Sequence, residues 1–413
     1  YTQLAVEGYI QARHGSGFFV MDTLSEFTEK NYVPQDINAL STKKSELKKP
    51  IILYDFQYGT LPYEQFPFKL WRKYTSQILL SSQKEVVNHY PDKQGDLFLR
   101  EEIGKHLYKS RGMVCSKEQI IIGCGLQYSL NILCTLLRKE NNTIAMEEPG
   151  YNGARDVFIN NNYNVHAIPA SKDGLILSSI CCSNACAAYV TPSHQFPYGT
   201  VMSIVQRKEL LNWANVNDAY IIEDDYDSEF RYKGKPIPAL QGMDRGGRVI
   251  YMGTFSKSIA PAIRVGFMVL PEHLVKVYRE KAGFYASTVS RIDQNILYQF
   301  ITQGHYERHL NRMRAVYKAK HDVLLNGLRK LEDRFVIRGE YAGLHVLLTY
   351  RWGGSEQQLT EQAATARVKV YGMSDCFIHS EQNIYPSTVM LGYAKLSEAE
   401  IEKGARLLDQ AWS

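Results

Sequence analysis

Between residues 120 and 270 short apolar runs alternate with longer helical patterns, and that alternation leaves few folds open. The runs are Ile120-Ile121-Ile122, Thr143-Ile144-Ala145-Met146, Ala187-Ala188-Tyr189-Val190, Ala219-Tyr220-Ile221-Ile222, Val249-Ile250-Tyr251-Met252 and Phe267-Met268-Val269-Leu270. Strands separated by helical segments lie side by side in a mainly parallel sheet, with helices on both faces. The expected fold class is therefore α/β, with a large sheet domain and, over residues 331–413, a smaller α/β domain. In open sheets of this kind ligands bind at the carboxyl ends of the strands.

At one such end stands Gly253-Thr254-Phe255-Ser256-Lys257-Ser258-Ile259-Ala260-Pro261-Ala262-Ile263-Arg264-Val265-Gly266. A single lysine sits in a small, hydroxyl-rich loop between two apolar runs. Burial disfavours the charged form of a lysine and lowers its pKa, which frees the amine as a nucleophile. The hydroxyls of Thr254 and Ser256 and the planar guanidinium of Arg264 suit a phosphate. A solvated surface loop is the alternative, but it does not account for an arginine seven positions on in an apolar context. The segment resembles the Schiff-base lysine segment of fold-type I enzymes that use pyridoxal 5′-phosphate (PLP), in particular the aminotransferases. The resemblance implies that Lys257 holds PLP as an internal aldimine and that Arg264 binds its phosphate.

Other strand ends carry the matching parts. Gly123-Cys124-Gly125-Leu126-Gln127 leads from a strand into a helix, where free N–H groups point at an anion. The backbone amides of Leu126 and Gln127, opened by Gly125, are the expected donors. Glu147-Glu148-Pro149-Gly150-Tyr151 places Tyr151 where the family stacks an aromatic on the pyridine ring; core packing is the alternative. Glu223-Asp224-Asp225-Tyr226-Asp227-Ser228-Glu229 holds five acids in seven residues. A solvated face or a metal site would explain them. So would a carboxylate that keeps the cofactor's pyridine nitrogen protonated. The resemblance gives that role to Asp224 and contact with the ring's phenolic oxygen to Tyr226. Side chains alternate along a strand, so Asp225 faces away. Tyr90, in Tyr90-Pro91-Asp92-Lys93-Gln94-Gly95, matches a tyrosine that reaches the phosphate of the neighbouring subunit; a buried structural tyrosine is the alternative.

Thr191-Pro192-Ser193-His194-Gln195-Phe196-Pro197 stands where ordinary aminotransferases carry an asparagine motif, so His194 or Gln195 is expected near the phenolic oxygen. This version resembles the MocR/GabR regulators of the GntR superfamily. The start of the chain agrees. Tyr1 to Ile10 reads as a helix end closing at Gly8, and Gln11 to Val20 as a hairpin turning at His14 to Gly17, similar to the last helix and wing of a winged helix-turn-helix. Residue 1 is not methionine, so the chain is expected to begin mid-protein. The expected organisation is a winged-helix remnant at 1–20, a linker at 21–49, an N-terminal arm and large PLP-binding domain at 50–290, and a connecting helix with a small domain at 291–413.

Two functions remain. One is a transcription regulator that senses an amino compound through PLP and acts on DNA as a homodimer. The other is a free-standing aminotransferase. Regulators similar to GabR use arginines at positions held here by Gly153 and Asp375, so the expected effector is not γ-aminobutyrate. A larger or differently charged amine fits better, such as a D-amino acid or D-alanyl-D-alanine, with Arg155 as a replacement cation. Without a carboxylate clamp the reaction is expected to stop at an external aldimine, with little or no complete transamination. Composition narrows the rest. The 413 residues suffice for two or three domains, and 45% hydrophobic with 22% charged residues is ordinary for a globular protein. No apolar run spans a bilayer and no signal sequence is read at the start. The seven cysteines lack zinc spacing, so no metal is expected and a reduced, bacterial cytoplasmic setting is. A net charge of +5 makes this stretch alone a poor nucleic-acid binder.

Overall fold

The strands Ile120–Gly123, Gly266–Val269, Val249–Thr254, Tyr220–Asp225, Ala187–Val190, Thr143–Glu148, Asn164–Ser171 and Gly174–Leu175 lie next to one another, in that order, in one sheet. The five from Val249–Thr254 to Asn164–Ser171 run parallel. Gly266–Val269 is antiparallel to both of its neighbours. The computed structural model describes residues 1–21, 51–80, 88–138, 142–171, 174–232, 237–339, 342–378 and 387–413. The chain divides into two compact units, Tyr1–Pro50 and Ile51–Ser413.

Strands buried on both faces carry continuous apolar runs rather than alternating ones, and four of the six expected runs are fully buried as strands, at 120–123, 187–190, 220–225 and 266–269. Alternation still sorts their side chains. Tyr220 and Ile222 pack on one face with Ile250, Met252 and the helix Leu126–Leu137. Ile221 packs on the other face with Val249. The strand Asn164–Ser171 has no counterpart in the sequence reading because Pro169 interrupts it. The structure places Pro169 opposite Glu148, near the sheet edge, where its carbonyl accepts from Ile176 N–H at 2.9 Å; proline is tolerated there.

The helices Glu272–Lys281, Arg291–Thr302 and His305–Leu328 follow the large sheet. The C-terminal strands Phe335–Arg338, His345–Tyr350, Thr388–Gly392 and Tyr371–Gly372 form a second, antiparallel sheet, with Glu356–Thr365 and Glu398–Ala411 as its helices. Val368 to Gly372 holds two short strands, Val368–Lys369 and Tyr371–Gly372. Val368–Lys369 pairs with Tyr54–Asp55. Phe56 is fully buried in the C-terminal core beside Leu391 and Ala405, and Gly392 N–H donates to the Phe56 carbonyl at 2.8 Å. The arm is thereby clamped, with Tyr58 and Gly59 held near the large sheet. A Cβ on Gly392 would stand 2.5 Å from the Tyr58 Cα, so glycine permits this approach.

In the first unit, helix Thr2–Val6 precedes an antiparallel hairpin pairing Ile10–Arg13 with Gly17–Val20, as expected. From residue 22 the expected linker lies outside the described residues. Among the described residues no helix is long and apolar enough to cross a membrane.

Candidate functional site

Nine of the expected site residues share one cavity of ≈ 310 Å³. Leu126 and Gln127 enter from a helix start, Tyr151 from the end of Thr143–Glu148, Asp224 and Tyr226 from the end of Tyr220–Asp225. Thr254 ends the strand Val249–Thr254, and Ser256, Lys257 and Arg264 come from the loop between it and Gly266–Val269. Tyr58, Gly59, Thr191, Phe196 and Pro261 complete the lining and were not foreseen.

Lys257 is half-buried, and its Nζ lies 4.0 Å from the centre of the Tyr58 ring. Burial lowers its pKa to about 8, while Asp227 and Asp224 pull it upward. Roughly a tenth is therefore free amine at pH 7, far more than for an ordinary exposed lysine. Asp224 is buried and accepts a hydrogen bond from the Tyr189 hydroxyl. Burial raises it to about 7, against the lowering effect of that bond. Its neighbour Asp225 faces the opposite side, as alternation demands, where Arg111 Nε stands 2.8 Å and the Tyr251 hydroxyl 2.6 Å from Oδ2.

One wall of the cavity is an anion cradle. The helix Leu126–Leu137 opens at Gly125, whose φ of 106° belongs to glycine, and its first N–H groups have no intrahelical partner. A Cβ at Gly125 would stand 2.7 Å from Arg264 Nη2, so glycine lets the guanidinium close on the helix start. Arg264 adopts a left-handed φ of 50°, and its Nη2 donates to the Cys124 carbonyl at 2.8 Å. The Thr254 hydroxyl donates to Ser256 Oγ at 3.0 Å. An amine, a carboxylate, an aromatic face and this cradle are the donor set a flat aldehyde bearing a phosphate needs, and the residues present fit PLP.

Several expected residues lie elsewhere. Gly125 stands behind Arg264 rather than in the lining. Tyr90 is 89% exposed. The buried Gln195 amide donates to the carbonyls of Pro149 and Phe196, at 2.9 and 2.6 Å, so it ties a loop rather than facing a ligand. His194 is also buried, behind Tyr226. Gly153 packs under Tyr151, where a Cβ would stand 2.5 Å from the tyrosine oxygen. Arg155 Nη1 donates to the carbonyls of Phe377 and Asp375, at 2.6 and 3.3 Å. Its guanidinium thus docks the turn Ser374–Cys376, and neither Arg155 nor Asp375 lines the cavity. The acidic run holds no metal cluster among the described residues.

Residues 52–408 match the family described as aminotransferase class I and II. An HTH-type transcriptional regulator of Bacillus subtilis (strain 168), YdeL, is 39% identical over 414 residues, covering 100% of this chain and 87% of the relative. A probable rhizopine catabolism regulatory protein of Rhizobium meliloti, MocR, is 31% identical over 421 residues, covering 100% and 85%. The chain belongs to the MocR-type HTH transcriptional regulators that carry an aminotransferase-like domain. Its fold is that of LysN, an α-aminoadipate aminotransferase from Thermus thermophilus complexed with N-(5′-phosphopyridoxyl)-L-leucine, with a TM-score of 0.77 at 26% identity, covering 88% of this regulator and 92% of LysN. Membership of the family implies dependence on PLP. Tyr58 and Phe196 carried no signal in the regulator's sequence, since each reaches the cavity from a loop without periodic pattern.

Proposed function

We propose that the unit Ile51–Ser413 binds PLP through Lys257, senses an amino compound with it, and passes the result to DNA-binding elements that include the N-terminal helix and hairpin. The observation that carries this reading is the half-buried amine of Lys257 in the same cavity as the cradle of Arg264, Thr254, Ser256 and the helix start. In this reading those groups hold the phosphate, with the backbone N–H groups of Leu126 and Gln127. Tyr151 offers the ring an aromatic face, Asp224 takes the ring nitrogen, and Tyr226 stands at the phenolic oxygen.

When bound, the cofactor supplies an aldehyde carbon that exchanges one amine for another. The chain's own residues set the terms. With its lowered pKa Lys257 would hold the cofactor's aldehyde through its free-amine fraction, and an effector amine would take its place. Asp224 gains a cationic partner, which favours its charged form against burial. Transamination would further require an effector carboxylate held so that Lys257 faces the Cα–H. Among the described lining residues the cations are Lys257 and Arg264, and Arg264 belongs to the cradle. The preferred effector is therefore not γ-aminobutyrate but a larger or differently charged amine, such as a D-amino acid or D-alanyl-D-alanine. The response is a change of conformation rather than turnover. The reading includes a cytoplasmic homodimer in which Tyr90 reaches the neighbouring subunit's phosphate.

Borohydride reduction of the PLP-incubated chain, followed by peptide mapping, tests the central step. A phosphopyridoxyl group on Lys257 is expected. Label on surface lysines alone would overturn the assignment.

A further inference from the structure

His194 stands outside the cavity, buried behind Tyr226. Its Nδ1 lies 2.9 Å from Asp227 Oδ2 and 2.9 Å from the Tyr226 hydroxyl. The same hydroxyl lies 2.8 Å from the His194 carbonyl. His194 and Asp227 are each 2% exposed. Two glycines shape the slot. A Cβ at Gly343, whose φ is 81°, would stand 2.7 Å from Nδ1, and one at Gly199, whose φ is 75°, would stand 3.0 Å from Nε2.

One proton arrangement satisfies every contact. A carboxylate only accepts, so the contact with Asp227 requires a proton on Nδ1. The Tyr226 proton then goes to the His194 carbonyl, and the phenol oxygen shares the Nδ1 proton with Asp227. The reverse arrangement, with Tyr226 donating to a bare Nδ1, sets a lone pair against the carboxylate and leaves the carbonyl without a donor. Burial and Asp227 push the Tyr226 phenol well above its ordinary value, so its proton stays on.

We infer that His194, oriented by Asp227, is a positioning residue that fixes the Tyr226 hydroxyl in the cavity wall. This rests on the proposed PLP site, but the arrangement belongs to the chain itself. A supporting shell of this kind sets how well a contacting group is held.

The test combines PLP affinity, read by absorbance titration, with imidazole NMR. His194→Phe is expected to weaken PLP binding roughly 2- to 10-fold, the worth of one hydrogen bond. In the Tyr226→Phe background the same change is expected to add less than about twofold, because the two residues act as one unit. His194→Asn, whose amide N–H replaces Nδ1–H, is expected to restore most of the affinity. Equal losses in both backgrounds would reduce His194 to a packing residue and overturn the inference. Asp227→Asn provides the same comparison if His194→Phe does not fold. In the 15N-histidine-labelled chain without PLP, the His194 resonance, assigned by its loss in His194→Asn, is expected to show a protonated Nδ1. A bare Nδ1 overturns the inference whether or not PLP binds, whereas failure of the wild-type chain to bind PLP counts against the site itself.

Discussion

Replacing Asp224 with asparagine should stabilise the empty protein and disable the loaded one. In the empty chain burial raises this carboxyl from 3.8 to about 7, with Lys257 lowering it only in part. At 1.36 kcal/mol per tenfold, this corresponds to a penalty of about 4 kcal/mol for keeping it charged at high pH. The sign follows from proton binding. Between 3.8 and about 7 the folded chain holds a proton that the unfolded chain has released, so stability from this group falls as pH rises through that window. Asparagine does not titrate, and its amide oxygen still accepts from Tyr189. The gain of Asp224→Asn is thus expected to be smaller at pH ~5, about 2 kcal/mol, and to approach about 4 kcal/mol by pH ~8, less the burial of the amide itself. With PLP the order inverts, because a neutral amide leaves the ring nitrogen without its charged partner. Loss of such a partner is worth about 2–4 kcal/mol, or roughly 30- to 1,000-fold in affinity. Thermal midpoints of both chains without PLP at the two pH values, together with absorbance titrations, read both arms. A variant that is no more stabilised at high pH than at low, or that binds PLP as the wild type does, would refute the electrostatic argument.

Three further outcomes follow from the same geometry. The rate at which PLP is captured should rise with pH about a midpoint near 8, the value set for Lys257 by burial; stopped-flow absorbance across pH gives the midpoint, and one near an ordinary lysine's counts against burial of the amine. Gly125→Ala should weaken PLP about 10- to 100-fold, since alanine is strained at a φ of 106° and its Cβ would meet Arg264 at 2.7 Å; titration with PLP measures it. Arg155→Ala should leave PLP affinity within about twofold while amide exchange accelerates at Phe377 and Ile378, because two carbonyl bonds to that segment are lost; hydrogen-exchange mass spectrometry reads the difference.

The large sheet was legible because strands buried on both faces must be continuously apolar, and Ile120 to Ile122 or Val249 to Met252 admit little else. The opposite facing of Asp224 and Asp225 was legible for an equally local reason, the two-residue period of a strand. What escaped depends on contacts between distant segments. Tyr58 lines the cavity because Phe56, two residues earlier, is buried beside Leu391, and no local pattern in the arm encodes that. The sequence shows a cation at Arg155 but not the carbonyls of Asp375 and Phe377 that engage it. It offers a histidine at position 194, but only the fold reveals that Gly199 and Gly343 seat it behind Tyr226. Asn164–Ser171 was lost to Pro169, whose tolerance depends on its place near the sheet edge.

The proposed regulator uses an amine-exchanging cofactor that reports rather than turns over. Its most direct test is the absorption spectrum of the PLP-loaded regulator as amino compounds are added singly, followed by a keto acid. The account predicts that one compound other than γ-aminobutyrate produces a stable new band that a keto acid leaves unchanged. Repeated conversion to pyridoxamine phosphate and back by the keto acid would contradict it, and would make the unit Ile51–Ser413 a working aminotransferase.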